Sequence, residues 1–137
     1  MYKKLIFLLL IVVLVLFCCI IQLKKDNSIQ LSKFEGVDIN IKEHTLSKTG
    51  ATVVITDFSN NQNSYNEWYQ IDIKINNKWK KLNSNSRWTN LENIYIGENN
   101  SIEFEINWKS VYGELKSGQY RLIKKINNDY IGIEFKI

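Results

Sequence analysis

Residues 112–124, Tyr-Gly-Glu-Leu-Lys-Ser-Gly-Gln-Tyr-Arg-Leu-Ile-Lys, decide how this chain folds. A Gly-containing turn ending at Gly118 leads into a strand that opens on Tyr120. That order fits a tyrosine corner, in which the ring packs inward and its hydroxyl bonds the upstream backbone. Arg121 follows, placed to lay its guanidinium on a Trp or Tyr ring and clamp the sheet.

Outward from this segment the hydrophobic period is two nearly everywhere. Ile131, Ile133, Phe135 and Ile137 alternate with Gly132, Glu134 and Lys136, and Ile102, Phe104, Ile106 and Trp108 with Glu103, Glu105 and Asn107. Tyr69, Ile71, Ile73 and Ile75 alternate with Gln70, Asp72 and Lys74, and Val37, Ile39 and Ile41 with Asp38 and Asn40. Each reads as a strand with one buried and one wet face, whereas the β-branched run Ala51–Thr56 reads as covered on both sides. Asn76-Asn77 and Asn127-Asn128-Asp129 supply the tight turns, because Asn tolerates φ > 0. No helical period follows residue 24, so the economical architecture is an all-β antiparallel sandwich of about seven strands.

On these residues the chain resembles the bacterial Ig-like domain of Gram-positive surface proteins and lipoproteins. The resemblance rests on Gly50-Ala51-Thr52 opening an early strand, Lys78-Trp79 after a hairpin, and Tyr112-Gly113, Leu115, Gly118, Tyr120 and Arg121 before the last hairpin. Ser117 stands where the family often has proline. The resemblance covers residues 36–137 and implies a cell-surface sandwich, with no enzymatic activity and no family-wide ligand. Structural roles are expected for Tyr120, Arg121, Gly118, Trp79 and Trp108.

The other end of the chain points to a membrane. Leu5–Ile21 is an unbroken apolar run of 17 residues, flanked by Lys3 and Lys4 before it and Lys24 and Lys25 after it. At about 1.5 Å per residue it makes roughly 25 Å of helix, and Gln22 and Leu23 bring it close to the ~30 Å hydrocarbon core. The run is longer than the apolar region of a signal peptide, and no small-residue cleavage pattern precedes Lys24. Cys18 and Cys19 follow Phe17 rather than Gly or Ala, a poor match to a lipidation signal. Residues 1–23 are therefore read as an uncleaved single-pass transmembrane anchor, 24–35 as a juxtamembrane tether, and 36–137 as one extracytoplasmic domain. The flanking lysines nearly cancel, so the short, signal-like start decides that orientation.

Charge and chemistry narrow the function. The net charge is +4, but Lys3 and Lys4 supply half of it, leaving 16 basic against 14 acidic residues beyond position 23. That balance gives no footprint for nucleic acid. His44 is the single histidine, both cysteines lie in the apolar run, and Asp57–Asn66 lacks the spaced carboxylates of a calcium loop, so neither a nucleophilic triad nor a common metal set is expected. No cofactor is expected either. Glu103 and Glu105 share one strand face, the reading being an exposed ion-pair face opposite Lys74, Arg121, Lys125 or Lys136.

The aromatics are the route to a ligand. Trp79, Trp108, Tyr120 and Phe135 keep step with core positions. Tyr65, Trp68, Trp88 and Tyr95 lie near strand ends or in Asn- and Ser-rich segments, where half-exposed rings contact a protein or stack on a cell-wall glycan. The expected function is a membrane-anchored binding or structural module. The alternatives are an inhibitor or envelope-stress partner that blocks a hydrolase with a protruding loop such as Ser59–Asn66, and a carbohydrate-binding module presenting a planar aromatic row.

Overall fold

The computed structural model describes residues 2–23, 28–84, 92–95 and 100–137. The chain opens with helix α1 (Tyr2–Leu23). Its described apolar side chains, Ile6 to Leu16, are exposed. Among the described residues no helix is long and apolar enough to cross a membrane; eleven side chains cover only about 16 Å, so the described part of α1 does not by itself carry the transmembrane expectation.

Eight strands and one short helix follow: β1 (Val37–Ile41), β2 (Ala51–Asp57), β3 (Ser64–Ile75), β4 (Lys78–Lys81), β5 (Ile94–Tyr95), β6 (Ser101–Ile106), α2 (Lys109–Tyr112), β7 (Gln119–Ile126) and β8 (Asp129–Lys136). They form two antiparallel sheets. The smaller runs β1-β2-β6, and the larger runs β4-β3-β7-β8 with β5 paired to the start of β3. The period-two reading holds because one face of each sheet meets the other sheet: Val53 and Ile55, Phe104 and Ile106, Tyr69 and Ile71, and Leu122 and Ile126 are all buried in one core. In β2 only Ala51, Val53, Ile55 and Asp57 are buried, and the residues between them stay half-exposed, so this strand is covered on one side rather than two.

The turns are those the sequence supports. Asn76 and Asn77 take φ of 50° and 60° between β3 and β4, and Asn127 takes 51° between β7 and β8, a left-handed region in which Asn is favoured over branched residues.

Tyr120 forms the corner. Its ring is buried, and its hydroxyl donates to the Lys116 carbonyl at 2.7 Å. Gly118 makes room for it: a Cβ there would lie 3.2 Å from the Tyr120 ring. Phe135 stacks between Tyr120, at 5.6 Å, and Trp108, at 5.4 Å. Trp108 was expected on the strand, but β6 stops at Ile106 and Trp108 lies just before α2. There the fully buried indole donates to the Lys48 carbonyl at 2.9 Å and ties the turn before β2 to the core. Tyr120→Phe removes the corner bond and keeps the ring. It should lower the unfolding free energy by about 0.5–1.5 kcal/mol in urea denaturation, and an unchanged midpoint would show that the corner contributes nothing.

The segment before β1 is not a bare tether. The Ile29 carbonyl accepts from Arg121 Nη2 at 2.9 Å, and Ser32 N donates to the Tyr130 carbonyl at 2.8 Å. Between them Leu31 lies over Gly132, where an added Cβ would come within 2.9 Å of the leucine and 2.8 Å of the Leu122 carbonyl. Ile29–Phe34 thus forms a strap that crosses the outer face of the larger sheet and rounds its β8 edge. The strap accounts for Ile123, which alternates onto that outer face and is nevertheless fully buried.

Candidate recognition surface

Alternation along β3, β7 and β8 assigns Gln70, Asp72, Arg121, Ile123, Tyr130, Gly132 and Glu134 to the outer face of the larger sheet. Its centre is an ion pair taken out of water. Arg121 Nη2 and Nε both donate to Asp72 Oδ2, at 2.7 and 2.9 Å, and Gln70 Nε2 donates to Oδ1 at 2.7 Å. The side chains of Arg121 and Asp72 are 8% and 0% exposed. The Arg121 guanidinium also lies 5.0 Å from the Trp79 ring, and Lys74 Nζ is 5.2 Å from the same ring. The expected clamp of guanidinium on an aromatic is therefore present. Trp79, however, is not in the core: it pairs with outward-facing Lys74 and stays half-exposed.

Further along, the β3–β7 register slips between Tyr65 and Tyr69: Tyr65 faces Ile126 and Tyr69 faces Lys124, so three residues oppose one. The bulge re-aims the side chains in it. Glu67 becomes exposed, and half-exposed Trp68 reaches across β7 to half-exposed Tyr130, with ring centroids 5.6 Å apart and planes tilted by 53°.

The bulge also leaves the Asn66 carbonyl out of the ladder, and Lys124 takes it: Nζ donates at 2.5 Å and sits 3.6 Å from the centroid of Phe104 in the opposite sheet. Lys124 is fully buried. Burial lowers its pKa to about 7, against a small opposing pull from Glu67. This lysine escaped the sequence reading, although the spacing Tyr120, Leu122, Lys124, Ile126 places it on the inward face of β7.

Of the four rings expected at a binding surface, Trp68 alone is seen half-exposed. Tyr65 is 1% exposed; its hydroxyl donates to Asp57 Oδ2 at 2.8 Å and its ring belongs to the core. Tyr95 pairs with Ser64 through β5, its side chain lying outside the described residues, and Trp88 lies outside them altogether. The loop Ser59–Asn66 does not protrude as a finger. Asp57 Oδ1 accepts from Ser59 N and Oγ at 2.9 and 2.6 Å, and Oδ2 from Asn63 Nδ2 at 2.8 Å. Asn127 Nδ2 then joins Asn63 at 2.8 Å, lacing the loop to the β7–β8 turn. Burial pushes the Asp57 carboxyl up, but its hydrogen bonds outweigh that and hold it below the usual aspartate range.

The groups considered for chemistry are placed apart. His44 is exposed in a turn with φ of 62°. Glu103 pairs at 2.9 Å with Lys42, each about half-exposed, and not with the lysines expected from the larger sheet, because β6 neighbours β2 instead. Arg121, counted among those outward cations, is consumed by Asp72. Among the described residues no three His, Cys, Asp or Glu side chains gather where a metal could sit.

Two packed sheets, the corner at Tyr120 and the Asn turns place the chain among Ig-like sandwiches, and a family model of the bacterial Ig-like domain matches residues 33–136. The chain belongs to the bacterial Ig-like domain family. The matched stretch of this Ig-like domain takes in all eight strands and the end of the strap at Phe34. No curated protein and no solved structure matches it.

Proposed function

We propose that this protein is a membrane-anchored, extracytoplasmic Ig-like module that binds a protein partner through the outer face of its larger sheet and performs no catalysis. The observation that carries the binding reading is the Trp68–Tyr130 pair: two half-exposed rings brought together where a bulge re-aims Trp68 toward Tyr130 on β8, when most other described aromatic side chains of the larger sheet are buried. Bulges recur where a side chain is aimed at a ligand, and Trp and Tyr dominate recognition hot spots. The 53° tilt between the rings favours a protein over a glycan, since a sugar face stacks best on a coplanar row. Membership of the Ig-like family supports a surface or structural role. For the anchor, α1 runs 22 residues, about 33 Å of helix, and its sequence from Leu5 to Ile21 is apolar throughout.

The test uses the full chain in bacterial cells, with a photo-crosslinking residue at position 68 or, as control, at exposed position 105 on the smaller sheet. Protease added to cells stripped of their wall should digest the domain and leave α1 protected. Position 68 should yield a discrete protein adduct that position 105 does not, and Tyr130→Ala should weaken its capture about tenfold, the scale of losing one hot-spot ring. A domain shielded from external protease would refute the location. Equal adducts from both positions would refute the surface.

A further inference from the structure

We propose that the β3–β4 hairpin docks on the anionic headgroups of the membrane that holds α1, an inference that rests on the anchored reading above. From Ile73 to Leu82 the chain carries Lys74, Lys78, Lys80 and Lys81 and no acidic residue. Lys78, Lys80 and Lys81 are exposed, and none of the four forms an ion pair among the described residues. The nearest carboxylate across the hairpin, Asp72, is buried and already spent on Arg121. Apolar surface accompanies the charge: Ile75 at the hairpin tip is 40% exposed, and Trp79 is half-exposed on the outer face with Lys74 and Lys81, while Lys78 and Lys80 face the other side. A hairpin edge basic on both faces, with an apolar tip and an indole on one flank, suits the interface of an anionic bilayer, where cations meet phosphates and the rings sit at headgroup depth.

A second, independent observation brings that strip to the membrane. The strap enters the domain beside the hairpin, because one guanidinium, Arg121, holds the Ile29 carbonyl and covers the Trp79 ring. Leu23, the last residue of α1, precedes Ile29 by six positions, so the chain between them reaches at most ~20 Å. From Asp72, where the strap enters, the hairpin tip at Ile75 is three residues along β3, about 10 Å, and the opposite end with the Asp57–Asn63 loop is eight, about 26 Å. Attraction to a charged surface fades within a Debye length of ~8 Å. The short connection therefore delivers this end of the sandwich, and not the other, to the distance at which the lysines act.

The experiment reconstitutes the full chain, with Cys18→Ser and Cys19→Ser, into vesicles of phosphatidylcholine alone or with phosphatidylglycerol. An environment-sensitive fluorophore is attached at Ile75→Cys or, at the far end, at Asn61→Cys. On anionic vesicles the Ile75 label should shift to the blue and be quenched by a headgroup-level lipid quencher, while the Asn61 label stays unchanged. Both responses should disappear in 0.5 M salt and in the triple variant Lys78→Glu, Lys80→Glu, Lys81→Glu, whose melting transition is recorded alongside. Chain that stays with the vesicles through alkaline extraction but gives a silent Ile75 label overturns the docking alone; chain that is extracted overturns the anchor and the docking with it. A response at Asn61 overturns the choice of end. The same blue shift on neutral vesicles after adding soluble polyphosphate would assign the strip to free polyanions instead of lipid.

Discussion

Arg121→Ala should lower the free energy of unfolding by about 3–5 kcal/mol, the range found when one partner of a buried ion pair is removed and the other stays. Asp72 is fully buried, and Arg121 gives it two of its three hydrogen bonds; Gln70 supplies the third. The truncation therefore leaves a carboxylate in a nearly dry site with one donor, and it also removes one of the two cations on Trp79 and the bond from Ile29. Arg121→Lys keeps the charge but cannot reach Asp72, Ile29 and the indole face together, and should fall between the two. Replacing the pair with apolar groups, Asp72→Leu with Arg121→Met, should recover most of the loss, because no charge is left unpaired. Chemical denaturation of the three variants checks this. A cost under about 1 kcal/mol for Arg121→Ala, the scale of an exposed pair, would mean that water reaches Asp72.

The domain should be more stable at pH 9 than at pH 7, and Lys124 should be the cause. Its folded pKa is about 7, while an unfolded lysine titrates near ~10.4. Between those values the unfolded chain holds a proton that the folded chain lacks, so unfolding free energy rises with pH, by up to about 1.4 kcal/mol per unit. Below pH 7 both states are charged and the term is constant. Above pH 10 the sign reverses: burial raises the Tyr69 pKa to about 12 and raises that of Tyr65 as well, so the unfolded tyrosines ionise first and stability falls. Melting temperature against pH should therefore peak near pH ~9.5–10. Lys124→Met fills similar volume without a charge and should flatten the rise between pH 7 and 9.5. A variant whose profile stays parallel to the parent would show that other groups carry the slope.

The alternation of Ile and Val with polar residues was enough to set strands and faces, because burial on one side of a sheet imposes a period of two regardless of what lies opposite. Tyr120 was legible for a local reason: its partner, Lys116, is four residues away. Tyr65 was not, since the Asn- and Ser-rich sequence around it suggests a wet loop and only the fold brings it onto Asp57. Trp68 was named among the candidate contact rings and is half-exposed, yet the bulge that aims it leaves no mark in the alternation of a single strand. Arg121 read as a clamp on an aromatic ring or as a cation opposite Glu103 and Glu105, and Asp72 only as a polar position alternating along its strand, so their buried pairing was not legible. What buries them is a segment 92 residues from Arg121 in the chain, part of the stretch 24–35 that was read as a tether.

The strap also determines how the domain takes a pull from its amino-terminal side. Tension arrives first at Ile29, ahead of β1, and passes through the Arg121 guanidinium into Asp72 of β3 and against Trp79 of β4. The load is thus divided among three strands of the larger sheet before the next backbone tie, Ser32 to Tyr130 on β8, comes under strain. Because Phe34 packs against the core and its carbonyl accepts from Val37 N, a pull of this kind meets the strap before it meets β1.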